Sequence, residues 1–207
     1  MRTYGGLTAE ERVARRRRRL MDSAFELFST QGFAHTSIRA VLRRSGLQDR
    51  YFAESFASLD ELMAAVVEAM WDEQLPRIAA CVGTGRPRDE QARDVLRVLV
   101  DNMMSDPRKG RLQLIEALVA GPATARARQQ GLRRMDEIVR SLLYEGPVDP
   151  RTDIRAKSVA VVGGVSQLLR NTIDGTLDLP QEALVDEGAF LFEAVANHIG
   201  PGAGSRA

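Results

Sequence analysis

An all-α fold is predicted by three features of this 207-residue chain. Apolar residues recur at helical spacing in nearly every segment, and no stretch sustains the two-residue alternation of strands joined by hairpin turns. The segments are also punctuated by N-capping side chains, glycines and prolines at the positions where helices start and stop. About nine helices are expected, three in a small N-terminal unit and the rest in a larger C-terminal body.

The first helix is expected over residues 8–30. Val13, Leu20, Ala24, Leu27 and Phe28 form its apolar stripe, Thr8 and Glu11 are spaced as a capping box, and Gln31-Gly32 ends it. Arg15 to Arg19 fan around its axis, either as a solvated face or as an attraction for phosphate. A short helix over 37–44, capped by Thr36 or Ser37, buries Ile38, Val41 and Leu42. Ser45-Gly46 turns the chain, and a third helix over 48–55 buries Leu47, Phe52 and Phe56. Ser58, Leu59, Asp60 and Glu61 read as the N-cap and first turn of a fourth helix over 62–82, with acids near its positive end and Pro76 expected to kink it.

Beyond a loop at 83–87, a helix over 89–104 buries Val95, Leu96, Leu99 and Val100. Asp106-Pro107 supplies the cap and first residue of the next segment, which leads into 112–120 before Gly121-Pro122 breaks it. A long helix over 123–144 ends at Gly146-Pro147, the last two helices cover 153–173 and 180–199, and a Gly/Pro/Ser-rich tail follows. Residues 158–169 and 189–196 are apolar nearly all round, so they need cover on a second side. Either both lie at the centre of a large bundle, or they pair with their copies across a twofold axis. Pairing is preferred because they come last in the chain with few elements left to cover them. Val165, Leu169, Phe190, Leu191 and Val195 are the candidate interface, and Gly163-Gly164 would permit close backbone approach.

Composition narrows the function. With 44 % hydrophobic residues the chain can bury a real core. A lone cysteine, Cys81, excludes an intramolecular disulfide and the paired thiolates of a structural zinc site, and neither metal nor cofactor is expected. The longest stretches without charge run twelve residues, as at 158–169, where a bilayer span needs about 20. No membrane partner is therefore expected, and without an apolar segment behind the N-terminal arginines a cytoplasmic location is expected. No nucleophile elbow, Walker loop or His-Glu-x-x-His occurs, and His35 and His198 lie far apart, so no catalytic residue is assigned.

The net charge of +1 conceals an asymmetry: residues 1–52 carry eleven arginines against five acids, a balance of +6, and the remaining 155 residues hold −5. Seven of the eleven aromatics lie in the first 56 residues, where a small domain needs large side chains to fill its core. A basic quarter joined to an acidic body suggests that one end meets a polyanion.

Two short helices joined by a Ser-Gly turn, with longer helices on either side, have the layout of a helix-turn-helix, whose second helix enters the major groove of double-stranded DNA. The outward residues suit such a contact, with Arg39, Arg43 and Arg44 on the first short helix, and Gln48, Asp49, Arg50, Tyr51, Glu54 and Ser55 on the second. Asp49 and Glu54 could accept from a cytosine amino group or hold Arg39 or Arg50 in place, the latter being preferred for Asp49.

Phe25-Glu-Leu-Phe-Ser-Thr-Gln-Gly-Phe33, Thr36-Ser-Ile-Arg39, Ser45-Gly-Leu47 and Phe56-Ala-Ser-Leu-Asp-Glu-Leu62 resemble, as a spaced set, the N-terminal domain of the tetracycline-repressor (TetR/AcrR) family of transcriptional regulators. The resemblance covers about residues 10–66. It implies a DNA-binding domain over 9–57 and an effector-binding and dimerisation body over 58–200, with flexible ends at 1–8 and 201–207. It further implies a homodimer joined through its last two helices, binding a palindromic operator as a ligand-responsive repressor. The chain departs from the family where Ala53 or Ser55 replaces a customary tyrosine and Leu59 a lysine. Tyr51 and the arginine-rich first helix are the expected substitutes for those phosphate contacts. Arg2 and Tyr4 lie in an N-terminal extension that is either disordered or an arm for the minor groove. A nonspecific DNA-binding protein is the alternative, and a small helical enzyme the weaker one.

In the body, Met63, Met70, Met103, Met104, Met135 and Trp71 are core filler or an adaptable ligand cage. The resemblance implies an apolar cavity for a small-molecule effector between the fourth helix and those from 89 to 173. Trp71, Met103 and Met104 are candidate walls, and Gln74, Gln113, Glu116, Gln167 and Asn171 are polar residues able to orient the molecule.

Overall fold

A computed structural model describes residues 8–143 and 153–199. Among the described residues the chain forms nine α-helices: α1 (Ala9–Gln31), α2 (Ile38–Ser45), α3 (Asp49–Ser55), α4 (Leu59–Ala79), α5 (Arg88–Met104), α6 (Pro107–Leu114), α7 (Pro122–Leu143), α8 (Ile154–Ile173) and α9 (Gln181–Ile199). The all-α class and the helix count agree with the sequence. The expected N-terminal arm, the C-terminal tail and the Gly146-Pro147 stop lie outside the described residues.

Helix starts follow local chemistry. Thr8 Oγ1 accepts from the Glu11 N–H at 3.1 Å while Glu11 Oε2 accepts from the Thr8 N–H at 2.6 Å, a reciprocal box that satisfies two otherwise orphaned donors. Ser37, Ser58, Asp106 and Asp153 cap α2, α4, α6 and α8 through their side-chain oxygens. α4 starts at Leu59, directly after its cap, and runs through Pro76 for a final turn to Ala79, short of the expected end at 82. The segment expected as a helix over 112–120 instead divides into α6 and a 3-10 turn at Glu116–Leu118. The break falls at the β-branched Ile115 (φ −122°, ψ −65°), and it turns the Glu116 side chain inward.

One apolar cluster runs without interruption from Leu20, Phe28, Val41 and Phe52 through Leu62, Met63 and Val67 of α4 to Val139 and Leu143 of α7. The N-terminal three helices and the body therefore share a core, with α4 as the common element. α4 packs most extensively on α7, and Gly131 permits the approach: a Cβ there would come within 2.2 Å of the Trp71 indole. A second cluster joins Leu96, Val100 and Met103 of α5 with Val165 and Leu169 of α8 and Leu184, Val185 and Ala189 of α9.

That second cluster corrects the expected pairing face. Val165 and Leu169 are 5 % and 2 % exposed inside their own chain, so neither can meet a partner. Gly164 accommodates Leu191 of the same chain. Phe190, 69 % exposed, and Val159, 56 %, do stand on the surface of α9 and α8, with Leu191 and Val195 half-buried.

Candidate nucleic-acid interface and effector cavity

The α2–α3 unit is built on a small aromatic core in which Phe28 meets Phe33 at 5.4 Å and Phe52 meets Phe56 at 5.9 Å between ring centres. Gly46 closes α2 at φ +64°, a conformation that costs an L side chain about 1–2 kcal/mol, and the Leu47 N–H then donates back to Leu42 O at 3.2 Å. α3 follows after Gln48, whose carbonyl accepts from the Tyr51 N–H at 2.9 Å.

Three arginines of the α1 run secure this unit from behind. Arg16 donates to both carboxylate oxygens of Glu54, at 2.9 and 3.0 Å, and lies 4.5 Å over the Tyr51 ring. Arg17 donates to Ser55 O at 2.8 Å and stacks 4.2 Å over Phe56. Arg19 donates to Ser45 O in the turn itself. These guanidiniums hold α3 and the turn before it, which neither sequence alternative for Arg15 to Arg19 anticipated. Arg15 and Arg18 remain exposed and unpaired among the described residues.

The candidate DNA-facing side chains separate accordingly. Arg39 and Arg43, one turn apart on the outer face of α2, are exposed without a partner among the described residues, as are Gln48 and Asp49. Arg50 donates to Tyr51 Oη at 3.0 Å and stacks 4.8 Å from its ring, so Tyr51 lies against two guanidiniums. Arg44 is drawn to Glu26 at 3.5 Å, and Glu26 also receives Arg108 of α6 at 2.8 Å. Glu54 holds Arg16 rather than Arg39 or Arg50, and Asp49 holds no arginine among the described residues. The Ser55 hydroxyl is buried, so that side chain is not presented outward.

Two carboxylates fasten the helix-turn-helix unit and α4 to the body. Glu116, 7 % exposed, accepts from the Phe33 N–H at 2.9 Å and from Arg111 at 3.0 Å, which removes it from the set of possible effector contacts. Asp60 in the first turn of α4 accepts from the N–H groups of Ala123 and Thr124 at 2.8 and 3.1 Å, and from the Thr124 hydroxyl at 2.6 Å. Burial pushes the Asp60 carboxyl up, but these hydrogen bonds and one from the Gly121 N–H outweigh it and hold it below its ordinary value.

A cavity of about 270 Å³ lies between α4, α5, α6, α7, α8 and α9. Trp71, Met103 and Gln113 line it, as expected from the sequence. The other four candidates do not. Gln74 is fully buried outside it, and Met104 packs into the α5–α8–α9 cluster. Gln167 is exposed and donates to Asn171 Oδ1 at 2.6 Å on the outside of α8. The wall also contains two charged residues that were not anticipated, Arg128 and Asp136. Their signal was present in the periodicity: Arg128 falls on the same α7 stripe as Gly131, Met135 and Val139. Val162, Gly163 and Ser166 of α8 also face the cavity, which explains why that helix lacks a broad polar face. Among the described residues no group of three or more His, Cys, Asp or Glu is placed to hold a metal ion, and no helix is long and apolar enough to cross a membrane.

Residues 20–66 match the family model described as bacterial regulatory proteins, tetR family. Among curated proteins the sequence finds no match. Solved structures with the same fold include a TetR-like transcriptional regulator from Rhodococcus sp. RHA1, 19 % identical over 94 % of this chain and 100 % of that one, with a TM-score of 0.69. The transcriptional regulator FadR from Bacillus subtilis, solved in complex with stearoyl-CoA, is 13 % identical over 88 % of this chain and 98 % of its own, with a TM-score of 0.72. A tetR-family regulator structure from Mesorhizobium loti MAFF303099 is 16 % identical over 90 % of this chain and 98 % of its own, with a TM-score of 0.70.

Proposed function

We propose that this protein, whose residues 20–66 match the tetR family of bacterial regulatory proteins, is a DNA-binding transcriptional regulator and acts as a ligand-responsive repressor that binds a palindromic operator as a homodimer. The observation that carries this reading is the outer face of α2 and α3. Arg39, Arg43, Gln48 and Arg50 stand exposed there, on a helix-turn-helix that Arg16, Arg17 and Arg19 keep rigid. Arg50 reads a base edge, Arg43 and the exposed Arg15 and Arg18 approach phosphates, and a second protomer paired through the Phe190 and Val159 faces supplies the other half-site.

Ligand response follows from the position of α4. Its first turn is clamped to α7 by Asp60, it shares the aromatic core of the DNA-facing unit, and one of its middle residues, Trp71, lines the cavity. A molecule preferring the arrangement in which the two recognition helices are badly spaced lowers DNA affinity by its differential affinity for the two states. A relative of this fold holding an acyl thioester supports a small-molecule effector here.

Selection of bound duplexes from a random library tests the reading. Enrichment of one inverted repeat with half-sites about one helical turn apart is expected. Uniform recovery of unrelated duplexes would leave a nonspecific DNA-binding protein.

A further inference from the structure

Resting on the effector role proposed for the cavity, the structure assigns the chemistry of its occupant. The wall is almost wholly apolar, yet it contains three polar groups without partners. Arg128 faces the cavity and makes no hydrogen bond or ion pair with any described residue. Trp71, 6 % exposed, has its indole N–H buried with no acceptor, and Gln113, 3 % exposed, has its amide oxygen buried with no donor. The remaining charged residue, Asp136, is already engaged by the Ser158 hydroxyl and by Arg140 at 3.2 Å. Among the described residues, one lining cation is therefore left without a counter-charge.

The Trp71 indole N–H is packed against α7 and does not open on the cavity. Gly131 follows Arg128 by one turn on the same face of α7 and abuts the indole edge, where an added Cβ would lie 2.2 Å from Trp71 Nε1. Loss of hydration at Arg128 pushes its pKa down, the signature of a cation held away from water without an anion beside it. An unpaired, partly buried guanidinium is costly in an empty site and favourable once an anionic acceptor arrives.

We propose that the cavity takes an apolar molecule bearing a single carboxylate, whose oxygens accept from the Arg128 guanidinium while its hydrocarbon part fills the space lined by Leu96, Val139 and Phe192. A monoanion is selected over a phosphate monoester because one cation balances one charge, and Asp136 would repel the second. The cavity, about 270 Å³, has room for a medium-length acyl chain or a fused ring pair.

The experiment uses the full-length protein and its sole tryptophan, Trp71, as the reporter. Octanoate, decanoate and naphthoate are titrated beside their methyl esters at fixed salt, following Trp71 fluorescence, and operator affinity is measured in parallel. At least one carboxylate is expected to bind about tenfold or more tightly than its ester. Arg128→Gln should abolish that preference while leaving ester affinity within about twofold. Arg128→Lys, which keeps the charge, should retain most of it, with thermal melts showing that both variants fold. An ester binding as tightly as its acid, a preference that survives in Arg128→Gln, or no binding by any of the acids at millimolar concentration would overturn the assignment. Arg128-dependent carboxylate binding that leaves operator affinity unchanged would uphold the ligand class and remove the effector role. Operator release by the ester alone would do the reverse.

Discussion

Arg16, Arg17 and Arg19 direct their guanidiniums to the protein itself, to a carboxylate and two carbonyl oxygens of the helix-turn-helix. A run of five arginines suggests an attraction for phosphate, but Arg16 meets Glu54 across 38 residues of sequence, and spacing within one helix carries no sign of such a partner. Arg16→Ala should lower stability by about 0.5–1.5 kcal/mol, read from urea midpoints, since it removes a partly exposed ion pair and a cation–ring contact. The exposed arginines should behave differently. Arg43→Ala should weaken binding to all duplexes alike and reduce the salt slope by about one, whereas Arg50→Ala should cost about 1–3 kcal/mol chiefly on duplexes carrying the preferred base. Equal losses by both variants across a panel of mutated operators would contradict that division. Gly131→Ala should destabilise by about 1–3 kcal/mol through overpacking against Trp71.

At the scale of elements, caps made the helix starts legible, because an N-cap is a contact over two or three residues. Helix ends and interruptions were less so. The break at Ile115 serves a contact between Glu116 and Phe33, 83 residues apart in sequence, and no local pattern encodes it. For the same reason Gln167 and Asn171 looked available on their helix, although the packing of α8 turns both away from the cavity. Asp60 offers a direct probe of the α4–α7 clamp. Its carboxyl titrates below the ordinary value in the folded protein, so its stabilisation is fully present above the unfolded carboxylate pKa near 3.8 and is lost as pH falls through the lower folded value. Asp60→Asn should therefore be less stable than the parent by about 1–2 kcal/mol at pH 7, and that gap should narrow toward pH 3. A gap unchanged with pH in urea titrations would show that the clamp does not depend on charge. Glu116→Gln should weaken the link between the 3-10 turn and the DNA-facing unit, so that a bound effector shifts operator affinity less than in the parent.

For the whole molecule, the charge asymmetry of +6 over residues 1–52 and −5 beyond is legible in the sequence, whereas the apolar core that both parts share through α4 is not. How the final helices are covered was legible only in part. Their apolar character serves an intramolecular core, a cavity and an outer face together, and the sequence pattern does not separate the three. Phe190 belongs to the outer face and Val159 to both that face and the cavity rim, whereas Val165 and Leu169 belong to the core and the cavity wall. Phe190→Arg should accordingly yield monomers in sedimentation while leaving the helical circular dichroism intact. Joint reading of two half-sites by two such chains is the arrangement expected. Its most direct measurement is the affinity of the full-length protein, at one stated salt concentration, for the selected inverted repeat against the same duplex with one half-site scrambled. Two protomers per duplex and a loss of about a hundredfold or more on scrambling are predicted, several mismatched base pairs each contributing about 1–3 kcal/mol. One protomer per duplex with equal affinity for both would contradict it.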